Sequence, residues 1–142
     1  MGLFTKCLAK SPWVYHVSCG SCNNCDIEIL DVLTPRFDVE RFGVLLAGSV
    51  RHADAFLVTG AVNRKTLPRL LKLWEQAPKP CLVIAIGACA LGQGVFRGSY
   101  AMAEPVDKYL PVSAYVPGCP PKPEAIIAGV VEALKTLEGA KT

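Results

Sequence analysis

Cys19-Gly20-Ser21-Cys22-Asn23-Asn24-Cys25-Asp26-Ile27-Glu28 joins two kinds of segment. Ahead of it, Trp13 to Val17 is apolar on both faces, as buried parallel strands are. Behind it an apolar helical pattern begins at once, so the three cysteines, spaced three apart among small polar residues, fall in a strand-to-helix turn. Two further cysteines occupy similar ground: Cys89 in Ile86-Gly87-Ala88-Cys89-Ala90, and Cys119 in Pro117-Gly118-Cys119-Pro120-Pro121. Each follows a strand-like hydrophobic run.

Outward from that turn, the spacing predicts a helix over about Cys25 to Leu33, with Ile27, Ile29, Leu30, Val32 and Leu33 apolar and Pro35 closing it. Phe37 to Leu46 fits either a second strand or irregular packing. Ala53 to Val58 reads as a strand running into Thr59-Gly60-Ala61-Val62. A helix over Lys65 to Gln76 follows, its Leu67, Leu70, Leu71 and Trp74 at i, i+3, i+4 and i+7. Cys81 to Ile86 is a buried strand. Gly87 to Leu110, rich in glycine and small residues, is expected to be a long loop with one short helix near Pro105 to Tyr109. Val112 to Val116 is the last strand. Pro121 to Pro123 lead into a final helix whose Ile126, Ile127, Val130, Val131, Leu134 and Leu137 are spaced to cover the sheet. Met1 to Lys10, carrying Lys6 and Cys7, is a short lead-in.

Strands that alternate with helical patterns make an α/β domain with a mostly parallel sheet and helices on both faces. Right-handed crossovers gather the functional loops at the carboxyl ends of the strands. The Cys19–Cys25 turn, the Thr59–Val62 turn, the Cys89 loop and the Cys119 loop are therefore expected on one rim.

The chain has 142 residues, one domain able to bury a core without disulfide staples. With 51% hydrophobic and 19% charged residues, it is expected to hide surface against partners. A net charge of +3, without a basic cluster, argues against nucleic acid. Seven cysteines, an odd number, do not suit a simple disulfide framework. Gly2 to Ser18 lacks the pattern of a signal peptide, and no apolar stretch approaches ~20 residues, so membrane association is expected to be peripheral.

Four thiolates converging among glycines and prolines have two usual partners, structural zinc and an iron–sulfur cluster. Zinc sites usually pair two close Cys-x-x-Cys knuckles. Here one pair is local and the other ligands arrive singly from distant loops, which suits a cluster at the end of a sheet. Cys22, Cys25, Cys89 and Cys119 are the expected ligands of one [4Fe–4S] cluster, with Cys19 as an outside candidate. Small neighbours (Gly87, Ala88, Ala90, Gly118) let backbone approach inorganic sulfur. Cys81 reads as a small hydrophobe of its strand. A thioredoxin-like dithiol at Cys22 and Cys25 is an alternative that leaves Cys89 and Cys119 unused.

Gly20-Ser21-Cys22-Asn23-Asn24-Cys25-Asp26-Ile27-Glu28-Ile29, Gly87-Ala88-Cys89-Ala90 and Pro117-Gly118-Cys119-Pro120-Pro121-Lys122-Pro123-Glu124 together resemble the small, cluster-bearing subunit of membrane-bound energy-converting [NiFe]-hydrogenases. That family is homologous to the PSST (20 kDa) component of respiratory complex I. Arg41-Phe42-Gly43, Arg51-His52-Ala53-Asp54 and Val58-Thr59-Gly60 look like its intervening segments, so the similarity spans nearly the whole chain. The complex I branch carries adjacent cysteines in the first motif, whereas Cys22-Asn23-Asn24-Cys25 has the hydrogenase spacing. The commoner family form has glycine where Asn24 stands, and asparagine is the residue that best replaces glycine in a left-handed backbone.

The resemblance implies a flavodoxin-like three-layer sandwich over 1–142 with a single proximal [4Fe–4S] cluster. It implies a separate large subunit holding the [NiFe] centre, a ferredoxin-like iron–sulfur subunit as donor, and integral membrane subunits that couple proton reduction to ion movement. The chain would lie peripherally at the cytoplasmic face of the cell membrane and transfer electrons without performing the H2 chemistry itself. A complex I-like quinone-reducing assembly is the nearest alternative, and a structural zinc-binding assembly protein is an alternative of another class. Among the remaining residues, Glu28 is either a rim carboxylate linked to proton or redox chemistry or a cap on the new helix. Asp26 is expected to compensate the helix dipole, and His16 to be a satisfied core or interface histidine. Thr59 and Asn63 are expected to hydrogen-bond near the cluster or the large subunit.

Overall fold

The computed structural model describes residues 10–139, so all of the Met1 to Lys10 lead-in except Lys10, including Lys6 and Cys7, and the side chain of Leu137 lie outside the described portion. Five parallel strands form one sheet: β1 (Trp13–Ser18), β2 (Leu45–Leu46), β3 (Ala55–Thr59), β4 (Leu82–Ile86) and β5 (Ala114–Val116), in the order β2-β1-β3-β4-β5. This is the flavodoxin-like order, in which the chain winds one way from β1 to β2 and the other way from β3 on. The crevice of such a sheet opens at the carboxyl ends of β1 and β3, where the winding reverses.

The two central strands, Ala-Phe-Leu-Val-Thr in β3 and Leu-Val-Ile-Ala-Ile in β4, are buried along their whole length. Alternation divides their side chains between two cores. Ala55, Leu57, Ile84 and Ile86 pack with Ile29 and Val32 of α1 (Asn24–Val32) and with Ile126, Val130 and Ala133 of α4 (Pro123–Gly139). Phe56, Val58, Val83 and Ala85 pack on the opposite face with Leu70 of α2 (Leu67–Gln76) and Ala90 of α3 (Ala88–Gly92). Layers of helix, sheet and helix result, as expected.

Several boundaries shift from the sequence expectation for local reasons. The helix foreseen from Lys65 begins at Leu67, because the Asn63 side-chain oxygen accepts from the amides of Lys65 (2.9 Å) and Thr66 (2.8 Å) and holds that segment in a turn. The strand foreseen from Ala53 begins at Ala55, because Val50–His52 is a 3₁₀ turn whose Arg51 amide is capped by Ser49. Phe37 to Leu46 resolves into a 3₁₀ turn, Val39–Phe42, and the two-residue edge strand β2. Gly87 to Leu110 is more ordered than a loop. It contains α3 and two 3₁₀ turns, Gly94–Phe96 and Val106–Lys108. The flanking glycines masked that helix, which is closed by left-handed Gln93 (φ 67°), a buried residue whose side-chain amide donates to the Ala103 carbonyl.

Strand register sets the level of the rim. Ser18 lies opposite Thr59, Thr59 opposite Ile86, and Ile86 opposite Val116. The turns leaving β1, β3, β4 and β5 therefore start flush with one another. Among the described residues no helix is long and apolar enough to cross a membrane.

Candidate metal centre

The first wall of the site is the turn between β1 and α1. The Cys19 amide donates to the Thr59 carbonyl (2.9 Å), fastening the start of the turn to β3. Gly60 (φ 75°) comes so close that a Cβ there would lie 2.4 Å from the Ser21 nitrogen. The chain then reverses through Asn23 in the left-handed region (φ 72°) and enters α1 at Asn24. The left-handed residue is thus Asn23, whereas Asn24, where the sequence suggested tolerance of that conformation, is helical. Cys22 is exposed and Cys25 is buried against the sheet.

The other two walls interlock with the first. The Gly87 amide donates to the Val116 carbonyl (2.9 Å), and the Ala88 amide to the Gly118 carbonyl (2.8 Å). These bonds tie the Cys89 and Cys119 turns together. A Cβ built on Gly87 would lie 2.6 Å from the Cys25 sulfur, and one on Gly94 would lie 3.3 Å from the Cys89 sulfur. Glycine is required at Gly87 both for space and for its backbone, φ 87° and ψ 154°.

Electrostatics place the four thiols in one neighbourhood. Burial pushes Cys25 up to about 11, helped by the negative fields of Cys22, Cys89, Asp26 and Cys119. Cys89 is raised by burial and then by Cys119 and Cys22. Thiolates gathered there repel one another, and a cationic partner would relieve that repulsion. Among the described residues no three His, Cys, Asp or Glu side chains stand close enough together to hold a single metal ion.

Cys19 stands apart from this set. It packs with Val17, Phe56 and Val58 in the core beneath α2, and burial pushes its thiol up to about 11. Its carbonyl accepts from Asn63 (3.3 Å) and Thr66 (2.8 Å), so Asn63 serves the turn rather than a thiol. Cys81 precedes β4 instead of opening it; half-buried against the same core, its thiol is likewise pushed up to about 11 by burial. An untreated metal-free chain should show this order in alkylation at pH 8. Among the cysteines of the described residues, exposed Cys22 and Cys119 should react first. Cys19, Cys25 and Cys81, with their thiols pushed up from 9.0 to about 11, should react about a hundredfold more slowly than a free cysteine, because the thiolate is the nucleophile. Mass-spectrometric mapping of iodoacetamide adducts reads it, and equal rates at Cys22 and Cys25 would contradict the buried position of Cys25.

Beside the thiols lies a polar network whose members, but not whose contacts, are visible in the sequence. His16 Nε2 is 3.0 Å from Asp26 Oδ1 and 3.0 Å from Thr59 Oγ1. Thr59, fully buried, donates to Asp26 Oδ1 at 2.6 Å, and Ser21 donates to Oδ2 at 2.5 Å. Burial alone would raise the Asp26 carboxyl, but the hydrogen bonds from Ser21 and Thr59 and the nearby His16 outweigh it and hold it below its ordinary range. Asp26 sits in the first turn of α1, where its charge also suits the dipole. The available signal was positional: His16 and Ser18 alternate with Val17 on β1, so they share the face over which α1 begins. Glu28 is not a cap. Asn23 holds the N-cap position without a side-chain bond, and Glu28 lies in the second turn, half-buried. A hollow of about 470 Å³ between α1, α4 and β2, lined by Val14, Ile29, Phe42, Ile126 and Val130, contains none of the cysteines.

Comparison with known proteins agrees with this architecture. The chain is 57% identical over 132 residues to the probable membrane-bound hydrogenase subunit mbhJ of Pyrococcus furiosus, covering 93% of this chain and 79% of that one. It is 46% identical over 133 residues to formate hydrogenlyase subunit 7 of Escherichia coli, covering 94% of this chain but only 52% of the other. Among solved structures, an archaeal respiratory complex, the membrane-bound sulfane sulfur reductase, contains a chain that superposes with a TM-score of 0.85 at 37% identity, over 98% of this chain and 77% of that one. The sequence profile described as NADH ubiquinone oxidoreductase, 20 Kd subunit, matches residues 22–133. The chain therefore belongs to the 20 kDa NADH ubiquinone oxidoreductase subunit family, which includes small subunits of membrane-bound hydrogenases, and is a subunit of an oxidoreductase complex.

Proposed function

We propose that Cys22, Cys25, Cys89 and Cys119 hold one [4Fe–4S] cluster, and that the chain is the electron-transfer small subunit of an energy-converting [NiFe]-hydrogenase. The observation that carries this proposal is the meeting of three cysteine-bearing turns on one rim, with Cys25 in the fields of Cys22, Cys89 and Cys119. The residues fit such a group. Four free thiols supply the cysteine set, and glycine at Gly87 and Gly94 leaves room beside two of the sulfurs. When bound, the cluster would supply a one-electron relay between a ferredoxin-like subunit and the [NiFe] site of a large subunit, where protons are reduced to H2.

The chain's own residues shape that relay. Cys25, at the buried start of α1, anchors the inner side, while exposed Cys22 and Cys119 face outward, where partner subunits would dock. Ion movement would belong to integral membrane subunits, with this chain peripheral on the cytoplasmic face. A hydrogenase is favoured by the Cys22-x-x-Cys25 spacing and by the 57% identity to the Pyrococcus hydrogenase subunit. A second reading, a complex I-like or sulfur-reducing assembly without H2 chemistry, draws on the family profile and on the likeness to the sulfane sulfur reductase.

Anaerobic purification of the native assembly, followed by metal and sulfide analysis, electron paramagnetic resonance under dithionite and an assay of H2 evolution, tests both. The expected result is iron with labile sulfide, nickel, H2 evolution, and a reduced-cluster signal lost on Cys89→Ser. Iron and sulfide without nickel or H2 would move the assignment to the second reading. Zinc in place of iron would overturn the redox function altogether.

A further inference from the structure

Asp26 follows Cys25 directly, yet its hydrogen bonds run to the sheet and to the turn. The donor count is informative. Thr59 has one hydroxyl proton and directs it to Asp26 Oδ1, so the Nε2 of His16, 3.0 Å from both oxygens, donates. Ser21 gives its proton to Oδ2. Ser21, Thr59 and His16 thus converge on one half-buried carboxylate from three sides, an arrangement that suits its ionised form. Among the described residues, His16 is the basic side chain within ion-pair distance, and no lysine or arginine neutralises the charge.

The same network spans the turn that carries two of the thiols. The Ser21 oxygen accepts from the amide of Asn23 (3.2 Å), the left-handed residue between Cys22 and Cys25, and lies 3.2 Å from the Ser18 hydroxyl. His16 and Ser18 stand on β1 and Thr59 ends β3. The thiol turn is thus pinned to two strands through one carboxylate.

We infer that Asp26, held by Ser21, Thr59 and His16, is a positioning residue for the cysteine site: it locks the Cys22–Cys25 turn in place and lowers the reduction potential of the group held there. This rests on the cluster assignment above. Reduction adds one electron, from a ferredoxin-type donor, to a group already carrying four thiolates, and it makes or breaks no bond. Net charge and local hydrogen bonding are among the protein's controls on that potential. A fixed carboxylate one residue from a ligand opposes the added electron, more strongly where water is partly excluded.

Redox-poised electron paramagnetic resonance on the native assembly, with iron and sulfide counted in each preparation, tests the inference. Asp26→Asn should retain the cluster and raise its midpoint, increasing the reduced-to-oxidised ratio at the wild-type midpoint about tenfold, equivalent to 59 mV for a one-electron couple. Thr59→Val removes a donor but keeps the charge, so the midpoint should fall, and Thr59→Ser should restore it. Intact clusters with unmoved midpoints in Asp26→Asn and Thr59→Val would overturn the inference and leave the network a purely structural one. If Asp26→Asn assembles no cluster, the Thr59 pair decides, and the absence of a downward shift reversed by serine overturns it. A wild-type assembly without iron and sulfide would instead refute the cluster assignment, and this inference with it.

Discussion

Gly87→Ala is expected to leave the chain folded while cutting bound iron and labile sulfide about tenfold or more, the scale of loss seen when groups supporting metal ligands are disturbed. The backbone at Gly87, φ 87° and ψ 154°, lies in a region essentially closed to other residues and costs on the order of 1–3 kcal/mol to impose on alanine. The added methyl would stand 2.6 Å from the Cys25 sulfur, well inside the roughly 3.5–4.0 Å at which nonbonded heavy atoms are comfortable. Backbone relief is blocked, because the amides of Gly87 and Ala88 are committed to the carbonyls of Val116 and Gly118 at 2.9 and 2.8 Å. Cys25 must therefore turn away from the other three thiols. A domain with about 5–15 kcal/mol of stability survives such a strain, so far-ultraviolet circular dichroism should match the wild type. Gly92→Ala is the control: nothing lies within 4 Å of a Cβ there, and its iron content should not change. Full iron occupancy in Gly87→Ala would mean that the approach of Gly87 to Cys25 does not shape the site.

The sequence disclosed this site more readily than it disclosed the network beside it. Cys22, Cys25, Cys89 and Cys119 were legible because each lies in a turn or helix start that follows a strand-like run, and a parallel sheet delivers such ends to one rim. Cys19 was ambiguous by spacing, since all three cysteines of the first turn are three apart; only the pleat shows that it points to the α2 core, opposite Cys25. The His16–Asp26–Thr59 contact joins residues 10 and 43 positions from His16, and depends on strand order and register that no local pattern encodes. Local chemistry also hid α3. Its Gly87 and Gly92 look like loop residues, whereas Gly87 is there for close approach and α3 is a single turn. Where a segment had strong periodicity, as in α2 and α4, the element was found and only its first residues moved.

Phe56→Ala should produce the opposite dissociation, a large loss of stability with the thiol site unchanged. Phe56 is fully buried at the centre of the sheet on the α2 face. Its ring lies 6.0 Å from Tyr15 and 5.8 Å from Trp74, the latter edge-on at 81°. Such aromatic pairs add about 0.5–1.5 kcal/mol to area burial. Truncating a buried phenylalanine costs about 3–5 kcal/mol, because the rigid strand cannot collapse into the space left. With a urea dependence of about 1–3 kcal/mol/M, the unfolding midpoint should drop by a molar unit or more. Cys25 packs with the other core, among Ile29, Leu57, Ile86 and Val116, so the loss should not reach the rim until the domain opens as a whole. Denaturation followed by tryptophan fluorescence, alongside iron content in buffer, measures both quantities. A midpoint within experimental error of wild type would show that α2 is held by other contacts. Iron loss in buffer from a chain that remains folded would show instead that the two faces of the sheet are coupled, and that the geometry of the thiol turns depends on packing beneath α2 as well as on Gly87 and Asp26.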